Sequence, residues 1–238
     1  MENKEELSKR NEVAQGLYNW YRFDRPRNRK VFDAPEKLVV PYRAEHNRFA
    51  YDNKQFFNDG GDIRAIVITS KNYSIKYVLP LLNSNLLDWH FGFIGKTKGK
   101  AREYFNIPLS QIPIKNISLE AQQPFVNLAD KMLSLNETFQ KKSGNFIKVV
   151  KQSFALEKVS AKLESFYELD FDGFVKELKQ KVTPKLKLEW LEVFEDTKKE
   201  LLDLKQQINS TDKEINQLVY QLYGLTDEEI AVVEGNGK

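Results

Sequence analysis

The chain has 238 residues, a formal net charge of +3, no cysteine and two histidines, a length that holds one large or two modest domains. The missing thiols exclude a disulfide framework and a thiolate metal site, and two histidines are too few for a histidine-rich one. Residues 1–115 carry 20 basic against 13 acidic side chains and the remainder 17 against 21, so a polyanion is expected on the first half.

The opening MENKEELSKR is charged and carries no apolar signal stretch, and nowhere does the chain approach ~18 consecutive apolar residues, so a soluble, cytoplasmic chain without membrane contact is expected. Leu7, Val13, Leu17, Trp20 and Tyr21 predict an amphipathic helix within 3–21, broken by Pro26. Lys37–Pro41 and Phe49–Tyr51 read as short strands around a charged turn. NDGGD at 58–62 is a tight turn, and the β-branched run Arg64–Thr69 a buried strand. Tyr77, Val78, Leu81, Leu82, Leu86 and Trp89 recur at helical spacing, predicting one helix over 75–89 with Pro80 near its first turn. Gly92, Gly95 and Gly99 interrupt a run with Lys96, Lys98, Lys100 and Arg102, which reads as a flexible, positively charged loop. Tyr104–Ile107 and Ile112–Ile114, beside Pro108 and Pro113, read as edge-strand material.

From Leu119 onward the periodicity is helical, beginning with Phe125, Leu128, Met132, Leu135 and Phe139. Phe194, Leu201, Ile208, Ile215 and Leu222 repeat every seven residues, beside a second row of Trp190, Thr197, Leu204, Thr211 and Leu218, and such a seam requires a partner helix. Between the two helices, residues 143–184 read as short amphipathic segments, opened by Ser143-Gly144 and closed by Pro184, that cap the far end of the pair. The seam stops at Gly224, suited to a left-handed C-cap, and Thr226 with Glu229 forms a T-x-x-E capping box opening a last helix. The expected fold is α+β: a mixed α/β domain over 1–116, then a long antiparallel helical pair with a small helical insertion over 117–238.

Catalytic chemistry is not apparent. Gly95–Gly99, GKTKG, lacks the G-x-x-x-x-G-K-[ST] spacing of a phosphate loop. Asp59 and Asp62 can be drawn as ligands for a divalent ion in a nuclease, yet Asp-Gly-Gly-Asp is also what a tight turn requires. Glu45 beside His46 reads as a surface hydrogen-bonding pair. No catalytic residue and no metal ligand is assigned. Nucleic-acid chemistry is written more plainly. Pro41–Phe56 interleaves Arg43, His46, Asn47, Arg48, Lys54 and Gln55 with Tyr42, Phe49 and Tyr51. Arg suits the O6 and N7 acceptors of guanine, whereas Asn and Gln suit adenine. Lys96, Lys98, Lys100 and Arg102 suit phosphate.

KLVVPYRAEHNRFAYDNKQFFNDGGDIRAIVIT, then YVLPLLNSNLLDWHFGFIG and YFNIPLSQIPI, with TDKEINQLVYQLYGLTDEEI at the end, resemble the TaqI-like C-terminal specificity domain of type IIG restriction-modification enzymes and related adenine methyltransferases. Leu81, Leu82, Asn83, Ser84, Leu86 and Leu87 match the family's helix motif, and Gln111–Ile114 its closing strand; the resemblance covers roughly residues 20–235. It implies a target-recognition domain that enters the DNA major groove, on a helical pair that holds it against catalytic modules. Family members methylate adenine with S-adenosylmethionine at an Asn-Pro-Pro-Tyr motif and cleave with Mg2+ at a PD-(D/E)xK site. Neither motif is present, so the chain is expected to be a cofactor-free, non-catalytic specificity portion. Its expected partners are double-stranded DNA and methyltransferase or endonuclease modules of the same enzyme or of a partner subunit. Two rivals stand beside it: a helical protein-interaction scaffold whose basic surface is incidental, and the Asp59/Asp62 nuclease.

Overall fold

A computed structural model describes residues 3–22, 29–55 and 61–235. In chain order the elements begin with α1 (Lys4–Ser8), α2 (Asn11–Ala14), α3 (Arg29–Phe32), β1 (Lys37–Pro41), β2 (Arg43–Ala44), β3 (Ala50–Asp52) and β4 (Ile63–Ile66). There follow α4 (Ile75–Asn83), α5 (Asn85–Ile94), β5 (Lys96–Lys98), β6 (Ala101–Glu103), α6 (Asn106–Ser110) and α7 (Leu119–Ser153). The chain ends in α8 (Ala161–Glu164), a 3-10 turn at Phe166–Glu168, α9 (Phe171–Glu177), α10 (Pro184–Tyr223) and α11 (Asp227–Val233).

Two compact units result, residues 1–69 with 94–111, and residues 70–93 with 112–238. A sequence boundary at 116 leaves 70–93 in the front half; the structure places this segment in the second unit, because Ile75, Tyr77, Val78, Leu79, Leu81 and Leu82 of α4 are buried there and α4 packs on α7.

The first unit holds two three-stranded antiparallel sheets, ordered β3-β1-β4 and β2-β6-β5. Leu38, Val39 and Val40 are buried because β1 is the central strand of its sheet, with Leu38 opposite Tyr51 on one side and Ile66 on the other. Lys37 is fully buried. Its Nζ donates to the carbonyls of Val31 (3.1 Å) and Phe32 (3.0 Å) and lies 3.8 Å from Asp52 Oδ2, its partner in register. Tyr42 links the sheets: its N–H donates to Asp62 O, and its carbonyl accepts from Tyr104 N at 2.8 Å.

Several expectations are corrected in this unit. The helix expected within 3–21 is two short pieces ending at Gly16, whose φ of +74° stops the second; Pro26 lies outside the described residues. The glycine-spaced basic loop is a hairpin, β5 paired with β6. Gly99 has φ +64° and Lys100 has no positive φ, the pattern of a type II′ turn. Tyr104–Ile107 is not an edge strand, since the chain turns into α6, whose third residue Pro108 falls where a helix needs no N–H. Ile112–Ile114 forms no ladder either, and Pro113 offers it no donor.

In the second unit the expected helix over 75–89 is two helices. Ser84 adopts extended backbone (φ −66°, ψ 153°); its Oγ donates to Leu81 O at 2.7 Å and accepts from Leu87 N at 3.3 Å. Pro80 is inside α4 and not in its first turn, and the break at Ser84 follows within four residues. Buried Gln122 ties α7 to the chain before α4: Oε1 accepts from Ser74 N at 2.8 Å, and Nε2 donates to Asn72 O (2.6 Å) and Ile117 O (3.0 Å).

The 35-residue α7 runs through Ser143-Gly144 without a break, so the insertion starts only after Ser153. It lies antiparallel to the 40-residue α10, which spans ~60 Å. Contacts descend one helix as they ascend the other: Lys131 with Glu214 (3.6 Å), Lys142 with Glu200 (2.6 Å), then the rings of Phe146 with Phe194 and Phe154 with Trp190. Phe194, Leu201 and Ile215 of one seam row and Thr211 of the other are buried. At the far end α8, the 3-10 turn and α9 close over the pair, with Phe146 stacked on Phe166 at 4.0 Å and packed against Phe174 and Phe194. Gly224 is left-handed (φ 74°, ψ 37°), and the Thr226–Glu229 capping box forms as its spacing requires.

Candidate nucleic-acid interface

Side chains alternate along a strand, and partners in register share a face. Across β2-β6-β5, Arg43 pairs with Glu103 and Glu103 with Lys96, while Ala44 pairs with Arg102 and Arg102 with Thr97. Arg43, Glu103, Lys96 and Lys98 therefore lie on one face, and Arg102 lies on the other with buried Ala44. Arg102, grouped with the lysines by sequence proximity, is separated from them by the pleat.

Glu103 sits in the middle of the cationic face, its side chain only 8% exposed. Arg43 donates to Glu103 Oε1 from Nε (3.0 Å) and Nη2 (2.7 Å), and Lys96 Nζ lies 4.0 Å from Oε2. The Arg43 hydrogen bonds hold the Glu103 carboxyl below its usual range; burial opposes them, and the charges of Arg43, Lys96 and Lys98 add to the lowering. Arg43 remains half exposed, with its guanidinium 5.4 Å from the Tyr42 ring centroid. The guanidinium of Arg64 lies 4.9 Å from the same ring, and its Nε donates to Tyr104 O at 3.3 Å.

Asn47 accepts from the hydroxyl of fully buried Tyr104 at 2.9 Å, and Phe49 meets the Tyr104 ring edge-on. His46 and Arg48 are exposed on the segment joining β2 to β3. Lys54 is exposed, its N–H bound to Asp52 Oδ1 at 3.0 Å; Gln55, at φ 56°, donates from Nε2 to Asp33 O at 3.0 Å. Asp52 pairs with Lys37 at the start of β1, whereas Arg43 lies beyond the end of β1, in the other sheet. The structure thus brings Arg43, Lys96 and Lys98 together, with Lys100 on the turn between β5 and β6, and leaves Lys54 and Gln55 apart from them, beyond β3 of the other sheet.

Sequence reasoning did not single out Glu103, Tyr104 or Arg64. The strand alternation of KTKGKARE around one glycine is the signal that pairs Glu103 with Lys96; nothing local pairs it with Arg43, sixty residues away. Asp59 lies outside the described residues, and Asp62 takes part through its carbonyl, which accepts from Tyr42 N. Among the described residues no group of three or more His, Asp or Glu is placed to hold a metal, and no helix is long and apolar enough to cross a membrane.

These features define an α+β chain in which a small two-sheet module with an exposed cationic face is joined in sequence to a helical unit. Residues 4–114 match the TaqI-like C-terminal specificity domain, which bears out the resemblance for that part of the chain. Residues 118–219 match a domain of unknown function (DUF8810), so the resemblance read over 20–235 passes at residue 118 into a different, uncharacterised domain. No curated protein matches the chain.

Proposed function

We propose that this chain is a sequence-specific DNA-recognition module of a restriction-modification or adenine-methylating system, non-catalytic on its own. The observation that carries the reading is a coincidence: the stretch matching a specificity domain is the module in which Arg43, Lys96 and Lys98 share an exposed face. Arg43 and Arg48 supply the forked donors that suit guanine, and Asn47, which suits adenine by type but whose Oδ1 accepts from the Tyr104 hydroxyl, steadies the segment that carries Arg48. Lys96, Lys98 and Lys100 supply mobile point charges for phosphate. His46, on the segment joining β2 to β3, and Lys54 and Gln55, beyond β3, extend the contact surface toward the other sheet. In the finer form of the proposal, the module serves a cytoplasmic type IIG enzyme whose methyltransferase and endonuclease modules bring S-adenosylmethionine and Mg2+.

Titrating the full chain against a randomised duplex library over a series of salt concentrations tests this. Enrichment of one sequence, with log affinity falling linearly against log salt, is expected. Binding without sequence enrichment, or no binding at all, overturns the reading; the latter favours a helical protein-interaction scaffold.

A further inference from the structure

We propose that Glu103 is a positioning residue for base reading: it locks the Arg43 guanidinium so that the outward fork of that side chain is presented to a guanine. The inference rests on the DNA-recognition reading and assigns a role to an acid that the reading itself does not use.

An anion is out of place on a face meant for phosphate, since it repels the ligand. Glu103 is nonetheless held there, nearly buried, on the middle strand of three, with Arg43 on one side and Lys96 on the other in strict register. A guanidinium has five N–H donors in a rigid plane. Arg43 spends two on Glu103, one from Nε and one from Nη2, both onto Oε1. Those two lie along the side of the plane, so the end of the plane keeps one N–H from each terminal nitrogen. That parallel pair is the fork that fits guanine O6 and N7 together. A long, half-exposed arginine otherwise loses rotamer entropy on binding; here two bonds to a buried carboxylate settle its orientation beforehand. Tyr42, 5.4 Å from the guanidinium, limits its swing.

The test compares full-length wild type, Arg43→Ala, Glu103→Ala, Glu103→Gln and the Arg43→Ala/Glu103→Ala double variant on randomised duplex DNA, with thermal melting as the check of folding. Arg43→Ala and Glu103→Ala are expected to relax the same base-pair position, by roughly tenfold each, and the double variant to relax it no further. Removing the Glu103 anion is also expected to tighten binding to off-site DNA, a gain that loss of structure does not produce. Glu103→Gln keeps an oxygen acceptor without the charge, so it relaxes that position less while still gaining off-site affinity. If Glu103→Ala does not fold, the Gln variant decides by the same position and the same off-site gain. The inference is overturned if the Glu103 variants relax a different position, relax none, or weaken all sequences alike. A wild-type protein that selects no sequence overturns the DNA reading instead, which keeps the two failures apart.

Discussion

The backbone N–H of Asn85 donates to the side-chain Oδ1 of Asn216 at 2.7 Å, joining positions 131 residues apart. Asn85 opens α5, where an N–H has no partner within the helix. Asn216 is buried on α10 and is itself steered by Nδ2 donation to Asp212 O at 3.0 Å. Asn216→Leu leaves the Asn85 donor without its acceptor and is expected to cost about 1–3 kcal/mol. A urea unfolding midpoint equal to that of the wild type contradicts this.

Lys37→Met is expected to destabilise the first unit by about 3–5 kcal/mol, because it strands Asp52 beside an apolar chain and releases the carbonyls of Val31 and Phe32. The double variant Lys37→Met/Asp52→Leu is expected to recover a large part of the loss. Protease sensitivity of residues 29–55 reports both, and equal sensitivity of the single variant and wild type refutes the account.

Register separates Lys98 from Arg102. If Lys98 meets a phosphate, Lys98→Ala weakens binding to all sequences alike and reduces the log–log salt slope by about 0.9. Arg102→Ala, on the face shared with buried Ala44, is expected to leave that slope unchanged. Equal slope changes for the two variants contradict the assignment.

The Glu103 carboxyl is held below its ordinary value of 4.5, first by the Arg43 hydrogen bonds. A depressed carboxyl contributes stability that is fully present above the unfolded value and is lost as pH falls through the folded one. Glu103 is therefore expected to contribute no pH dependence to the melting temperature between about pH 6 and 8, and the temperature to drop on acidification below about 4.5 in wild type more steeply than in Glu103→Gln. Parallel acid limbs for the two proteins refute this.

Legibility in the sequence follows the range of the interactions. The end of α10, the last helix and the heptad seam were readable because their codes are local: Gly224, Thr226 with Glu229, and apolar residues at fixed spacing. Strands β1 and β3 were readable to within a residue from their apolar runs, whereas β4, expected as a buried strand over Arg64–Thr69, is the half-buried edge strand Ile63–Ile66, because only one of its sides has a strand to pair with. The break at Ser84 was hidden inside an unbroken helical periodicity, because one extended residue that caps the next helix leaves the apolar spacing intact. The hairpin was missed because its strands are charged and carry no alternation of hydrophobicity; only Gly99 marks it. Within the candidate interface, residue types were legible but their arrangement was not. The bond between Arg43 and Glu103, and the separation of Gln55 from both, depend on pairings between distant strands.

The left-handed residue at Gly224 turns the end of α10 into a stop encoded in a few positions, independent of anything beyond it. A reporter or second binding module spliced in behind Thr226 would start along a new axis and would not prolong the forty-residue rod. Replacing Gly224 by alanine would favour a continuous extension. This junction is therefore the natural place to graft cargo whose heading must be chosen apart from the length of the shaft.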